Sequence, residues 1–302
     1  MVPEAIRDVA EALMTHPHPS VRVRALKELA GRSADAPEVR KAQALVDTVP
    51  PVRDILDAQY PDGYWMHPGL GISPRYRATV WQLLFLAQLG AGPSPPVVRA
   101  VEVVLANDRD DAGALRLHQG ADGRSLALTG AFLWSVAQLG LADQATWAST
   151  WAWVTEELEA GRVSPSAAVW LGRAAGAWRQ DAWLARWTAT GTTWERTVPK
   201  RRLALQPTTA PSLERRFSFP LTHRPDALAA LRTWVEIGRP DLVPETAVQD
   251  LLSRQLPSGH WPLEKVDEPL WFELGTIGQA NPWITLRVLC VLCPVLDKSP
   301  RS

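Results

Sequence analysis

Residues 106–113 read ANDRDDAG, and Asp108, Asp110 and Asp111 crowd three carboxylates into four positions. A carboxyl group placed this way can act as a proton donor if burial and charged neighbours keep it protonated, because a further negative charge at close range is resisted. These three are the candidate catalytic residues. Other residue types offer less. The histidines (His16, His18, His67, His118, His223 and His260) show no H-x3-H or related metal spacing. Cys290 and Cys293 share a helix face at i, i+3, but their Val and Leu neighbours make them small buried hydrophobes rather than zinc ligands. No G-x-S-x-G, Walker A or G-x-G-x-x-G stretch occurs, so no metal and no cofactor is expected. Lys200, Arg201 and Arg202, with Arg215 and Arg216, could hold a phosphate but read more simply as a solvated loop face.

The elements that must position such residues are repeated. Val52–Trp65, VRDILDAQYPDGYW, returns as Val248–Trp261, VQDLLSRQLPSGHW, with seven identities over 14 ungapped positions. Each copy is the end of an amphipathic helix, stopped at Pro61 or Pro257 and turned through Gly63 or Gly259, where glycine tolerates positive φ. Gln59 and Gln255 stand where an amide can satisfy backbone groups at the helix end, and Trp65 and Trp261 land on the turn. ANDRDDAG then reads as a degenerate third copy, with Asn107 at the helix end and Gly113 in the turn.

The Gln–x3–Gly–x–Trp pattern resembles the QW motif of the squalene/oxidosqualene cyclases, which share an α/α toroid with protein prenyltransferase β subunits. Residues 19–31, 76–90, 217–231 and 283–289 are similar to successive landmarks of bacterial single-domain proteins with prenyltransferase/squalene-oxidase repeats. The similarity spans most of the chain outside about 145–210. It implies an all-α, single-domain (α/α)6 toroid over residues 1–302. On the same resemblance Asp108–Asp111 matches the DxDD of class II terpene cyclases, with Asp110 as the acid and Asp108 and Asp111 positioning it. A pocket is expected where the inner helices begin, lined by Tyr76, Thr79, Trp81, Thr129, Trp134, Phe219, His223, Trp283 and Thr285. The implied ligand is hydrophobic and isoprenoid-like; the alternative is a non-catalytic scaffold that binds a protein partner.

Periodicity is helical from end to end, without two-residue alternation of β-branched positions. Hairpins fall at 3–14/19–31, 51–59/75–89, 95–106/125–139, 144–159/165–178, 181–189/225–237 and 244–255/281–296, with a further helix at 37–47 and an irregular basic loop at 192–216. Several second members, Val80–Leu89, Leu126–Leu139 and Ile284–Leu296, are apolar on most sides and belong inside. Eight of the fifteen tryptophans fall between Trp147 and Trp194, either as filler between helices or as a cavity lining. Lys+Arg and Asp+Glu are both 32, which gives no general attraction to nucleic acid or anionic membrane. No run of apolar residues suits a membrane span or signal peptide, and the two cysteines suggest a reducing cytoplasm.

Overall fold

A computed structural model describes residues 2–68, 72–116, 123–181, 183–185, 213–268 and 270–298. It is all-α. Among the described residues there is no strand, only isolated bridges between loops. The helices divide by burial. α1 (Glu4–Met14) buries Ile6, Val9, Ala10 and Leu13, the stripe expected of an amphipathic helix, and α6 (Pro95–Asn107) buries Val97, Ala100, Val101 and Val104. α3 (Pro37–Val46), α4 (Val52–Asp57) and α8 (Gln144–Glu159) are likewise one-sided, as is Glu245–Ser253, numbered α11 below.

The other helices are buried all round. α5 (Thr79–Gln88) buries every residue, α7 (Leu126–Gln138) all of Leu128 to Val136, and α9 (Pro165–Ala177) all of Ala167 to Ala175. α2 (Pro19–Glu28), α10 (Ala227–Glu236) and α12 (Pro282–Lys298) complete the set. They pack in sequence: α5 on α7, α7 on α9, α9 on α10, α10 on α12, and α12 on α2. α2 meets α5 where Arg24 Nη1 donates to the carbonyl of Ala87 at 2.8 Å. One cluster of buried apolar side chains runs from Val2 to Leu292.

Local chemistry sets the ends. The hydroxyls of Ser125 and Ser164 and the carboxylates of Asp143 and Asp226 cap α7, α9, α8 and α10 by accepting a backbone N–H. Pro19, Pro95 and Pro165 open helices at the position where a missing N–H is harmless. Several expected boundaries shift, two of them at the repeat turn. α4 stops at Asp57, which leaves Gln59 beyond the helix, and α5 starts at Thr79 rather than at 75. The delay has a backbone cause: Tyr76 takes φ +63, a left-handed conformation that a helix cannot include. Asp181 and residues 183–185 are helical, while the rest of the expected 181–189 helix and most of the 192–216 loop lie outside the described residues. No helix among the described residues is long and apolar enough to cross a membrane.

Candidate functional site

The two repeat turns make the same bonds. Trp65 and Trp261 are fully buried, and their indole N–H groups donate to the carbonyls of Ile55 (2.7 Å) and Leu251 (2.6 Å). Their backbone N–H groups go to Oγ1 of Thr79 (3.1 Å) and Thr285 (3.0 Å). Gln59 Nε2 donates to the carbonyls of Gly63 (3.1 Å) and Pro96 (2.9 Å), and Gln255 Nε2 to that of Gly259 (2.8 Å). Each glycine lets the turn press on a neighbouring helix. A Cβ on Gly63 would meet Arg99 of α6 at 2.9 Å, and one on Gly259 would meet Val9 of α1 at 3.0 Å.

ANDRDDAG is a third turn with the same ladder. Asp110 N donates to Ala114 O and Gly113 N to Asp110 O, as Tyr60 N does to Tyr64 O and Gly63 N to Tyr60 O. Leu115 takes the place of the tryptophan, giving its N–H to Thr129 Oγ1 at 3.0 Å. This register corrects the sequence reading: Arg109, not Asn107, replaces the glutamine. Its Nη1 reaches Thr146 O of α8 at 2.7 Å, as Gln59 reaches Pro96 of α6, while Asn107 bonds back to Val103 O within its own helix. A Cβ on Gly113 would lie 2.5 Å from Thr150 N of α8.

Of the acidic trio, Asp110 serves the turn. Asp110 Oδ1 accepts from Ala112 N and Ala114 N at 3.0 Å each, and Oδ2 takes Arg124 Nε at 2.6 Å with Arg116 Nε at 3.7 Å. Burial raises its pKa, but the Arg124 hydrogen bond, the Ala114 N–H and the two guanidinium charges outweigh it and hold the carboxyl below its ordinary range. That is the reverse of what a stored proton needs. It also departs from a plain solvated turn, since the Asp110 side chain is only 2% exposed. Asp108 is buried at the C-terminal cap of α6, and Asp111 is exposed.

The residues named for a pocket fall into three groups. Tyr76, Trp81, Phe219, His223 and Trp283 gather where the buried helices begin. Tyr76 meets Trp81 edge-on at 5.3 Å, Trp81 meets His223 at 5.3 Å, and Phe219 stacks on Trp283 at 5.4 Å with His18 at its edge. Thr79, Thr129 and Thr285 have their oxygens taken by the turns, as above. Trp134 sits further along α7, against Trp170 at 5.5 Å, with the Arg173 guanidinium 4.5 Å from its ring. At the first group, which we call the mouth, polar order is partial. Thr222 donates to Asp267 Oδ2 at 3.3 Å, and Lys265 Nζ holds Asp267 Oδ1 at 3.0 Å. Gln82 Nε2 holds the carbonyl of the left-handed Tyr76 at 2.8 Å. Nδ1 of His223 and Nε1 of Trp271 and Trp283 are buried without a partner among the described residues.

Sequence reasoning missed a network of charges within the buried helices. Glu28 pairs with Arg24 and with Arg232 Nη2 (2.6 Å), and Cys290 Sγ donates to it at 3.5 Å. Glu236 accepts from Arg232 Nε at 2.7 Å and from Arg173 Nε and Nη2 at 2.9 and 3.2 Å. Arg287 separately clamps Asp226, with Nη2 at 2.6 Å from Oδ1. Burial alone would raise the pKa of Glu28; Arg232 and Arg24 overcome it and bring the carboxyl down to about 2. Arg173 is pushed down instead, by burial and by the neighbouring cations Arg232 and Arg287, with Glu236 only partly offsetting them. The two directions agree with the stoichiometry: three guanidiniums share two carboxylates. Burial pushes the Cys290 thiol well above its usual range, which makes it a poor nucleophile.

No protein-family model matches the chain, and no curated protein matches it. Among the described residues no three His, Cys, Asp or Glu side chains are grouped to hold a metal ion.

Proposed function

We propose that the chain is an (α/α)6 toroid like those its repeat turns resemble, and that its mouth binds a hydrophobic, isoprenoid-like small molecule. Three features support the ring. The buried helices pack in cyclic order from α2 round to α12 and back to α2. Each repeat turn presses on the next one-sided helix in the chain. The last turn presses on α1, the first helix, through Gly259 and Val9.

One observation carries the ligand reading. The mouth places the aromatic faces of Tyr76, Trp81, Phe219 and Trp283 beside buried polar atoms, His223 Nδ1 and Trp283 Nε1, that have no partner among the described residues. Buried atoms unpaired among the described residues also occur on α8, at Thr150 Oγ1 and Nε1 of Trp151 and Trp153, so it is their combination at the mouth with several aromatic faces, the pairing of apolar walls and a few polar groups found in ligand sites, that supports the reading. We assign no reaction, and no proton donor at Asp110. The two unpaired cysteines fit a reducing cytoplasm.

Native mass spectrometry and thermal unfolding with geraniol, farnesol, geranylgeranyl diphosphate and solubilised squalene test the reading. A guest at 100 times its Kd adds about 2.7 kcal/mol to stability. We expect a saturable shift with at least one of these, weakened in Trp81→Leu. No retained ligand and no shift with any of them would favour a packed-shut scaffold that binds a protein partner.

A further inference from the structure

On the side away from the mouth, the ends of α2, α5 and α7 border an open cleft of about 470 Å3. Its floor is apolar: Val39 of α3, Ala91 just after α5 and Leu139 at the C-cap of α7 are all buried. Its charged lining is of one sign. Lys27 comes from the last turn of α2 and Arg40 from the first turn of α3, and no carboxylate lines the cleft. We infer that the cleft binds a small organic anion. Its carboxylate or phosphate head is held by Lys27 and Arg40, and its apolar body lies on Val39, Ala91 and Leu139. This site does not depend on the mouth. α5 and α7 run between the two, about 15–20 Å at 1.5 Å per residue.

Neither cation has an ion pair or a side-chain hydrogen bond among the described residues, whereas the carboxylates nearby are engaged or turned away. Glu28 is held by Arg24 and Arg232, and Glu38 pairs with Arg32 at 3.4 Å. Asp35, in the loop between α2 and α3, is exposed and outside the lining. Lys27 as a whole residue is exposed, but its ammonium sits where burial, and then the Arg24 charge, lower its pKa; Glu28 offsets only part of this. An anion in the cleft would counter both effects. Helix dipoles give a plainer account of Lys27, which offsets the carbonyls at the end of α2, but not of Arg40, because a cation in the first turn of a helix is unfavourable. The cleft also falls within the range of small-molecule sites, about 300–1,000 Å3, which leaves room for a body as well as a head.

The test varies the head on one short chain. The full-length protein, isotope-labelled, is titrated at neutral pH and low ionic strength with hexanoate, hexyl phosphate, hexanol, hexylamine and inorganic phosphate, and followed by amide chemical shifts and calorimetry. Hexanoate or hexyl phosphate should bind about tenfold more tightly than hexanol, the equivalent of about 1.4 kcal/mol. It should shift the amides of Arg40, Ala91 and Leu139 and leave those of Thr79 and Trp81 at the mouth in place. The tighter of the two anions identifies the head. Lys27→Gln and Arg40→Gln should each weaken that binding, as should added salt. Both residues are exposed, and an unchanged amide spectrum away from the cleft checks that the variants fold. Hexanol or hexylamine binding as tightly as the anions would overturn the inference, as would shifts confined to another surface or binding that survives both substitutions together. Inorganic phosphate binding as tightly as hexyl phosphate would mean an adventitious ion only, and would overturn it too. So would a failure of both organic anions to bind, which leaves the reading of the mouth untouched.

Discussion

The buried charge network makes a prediction that follows from counting. Arg24, Arg173 and Arg232 face Glu28 and Glu236. Replacing Arg232 with Met leaves two cations and two anions, each carboxylate keeping one arginine. Replacing Glu28 with Gln leaves three guanidiniums around a single carboxylate. An uncompensated buried charge is the costly outcome, on the order of 3–5 kcal/mol, whereas loss of a charge that restores balance costs less. The Glu28 pKa gives a second route to the size. A fall from 4.5 to about 2 corresponds to about 3 kcal/mol at 1.36 kcal/mol per unit. We therefore expect Glu28→Gln to lose about 3–5 kcal/mol in urea unfolding at pH 7, and Arg232→Met less than Glu28→Gln, with unchanged m-values. The sign with pH follows from the depressed carboxyl. Its contribution is full above pH 4.5 and drains as pH falls toward 2, so the slope of stability over that window should be shallower in Glu28→Gln than in the parent. If Arg232→Met proved the more damaging, the charge count would not govern the network and the reasoning would fail.

Three further outcomes test the turns. Trp261→Ala should cost about 3–5 kcal/mol, since the ring is fully buried, and Thr285→Val about 1–3 kcal/mol by orphaning the Trp261 N–H; parent-like thermal unfolding of either would refute the shared bonding. Gly113→Ala should destabilise more than Gly161→Ala: both carry left-handed strain of about 1–3 kcal/mol, but only at Gly113 does the new methyl meet backbone, that of Thr150. Equal losses would mean the turn is not docked on α8. Asp110→Asn should lose about 1–2 kcal/mol of stability, by weakening the Arg124 bond, with ligand binding at the mouth unchanged. Loss of binding without loss of stability would return the carboxylate to a role at the site.

The helices were legible in the sequence because burial there follows period. The stripe Ile6, Val9, Ala10 and Leu13 announces a one-sided helix, and α5, apolar on most sides, announces a buried one. The charges inside the second kind were not legible. Arg24–Glu28 and Arg232–Glu236 are i, i+4 pairs, the spacing usual on solvated helix faces, and nothing local tells that both face inward and share partners. The signal was there in weaker form: Arg173 stands alone in the apolar run WLGRAAGA, and a lone cation in a buried helix must find an anion elsewhere. The mouth was half legible. Its aromatics were named from their place at helix starts, but the threonines beside them had an unseen prior engagement with the turns. A threonine one turn from a pocket and one that ties down a loop look alike until the loop's N–H is located.

The third turn shows why motif spelling and motif geometry part company. A reading by letters looked for an amide at the helix end and chose Asn107, the only candidate of that type nearby. The turn does not require an amide. In the turns docked on α6 and α8 the donor leaves its own loop and reaches a carbonyl in the first turn of that helix, and the guanidinium of Arg109 does this as the amide of Gln59 does. The turn requires an N–H partner where the tryptophan would stand, and Leu115 supplies one to Thr129 without a ring. Where Gln and Trp side chains donate to carbonyls in the other two turns, Asp110 ties this one by accepting instead: its carboxylate gathers two backbone N–H groups and binds Arg124 across the loop. The feature that looked most like an acid catalyst in the sequence is thus accounted for by what a repeat turn must satisfy once its usual glutamine and tryptophan are gone.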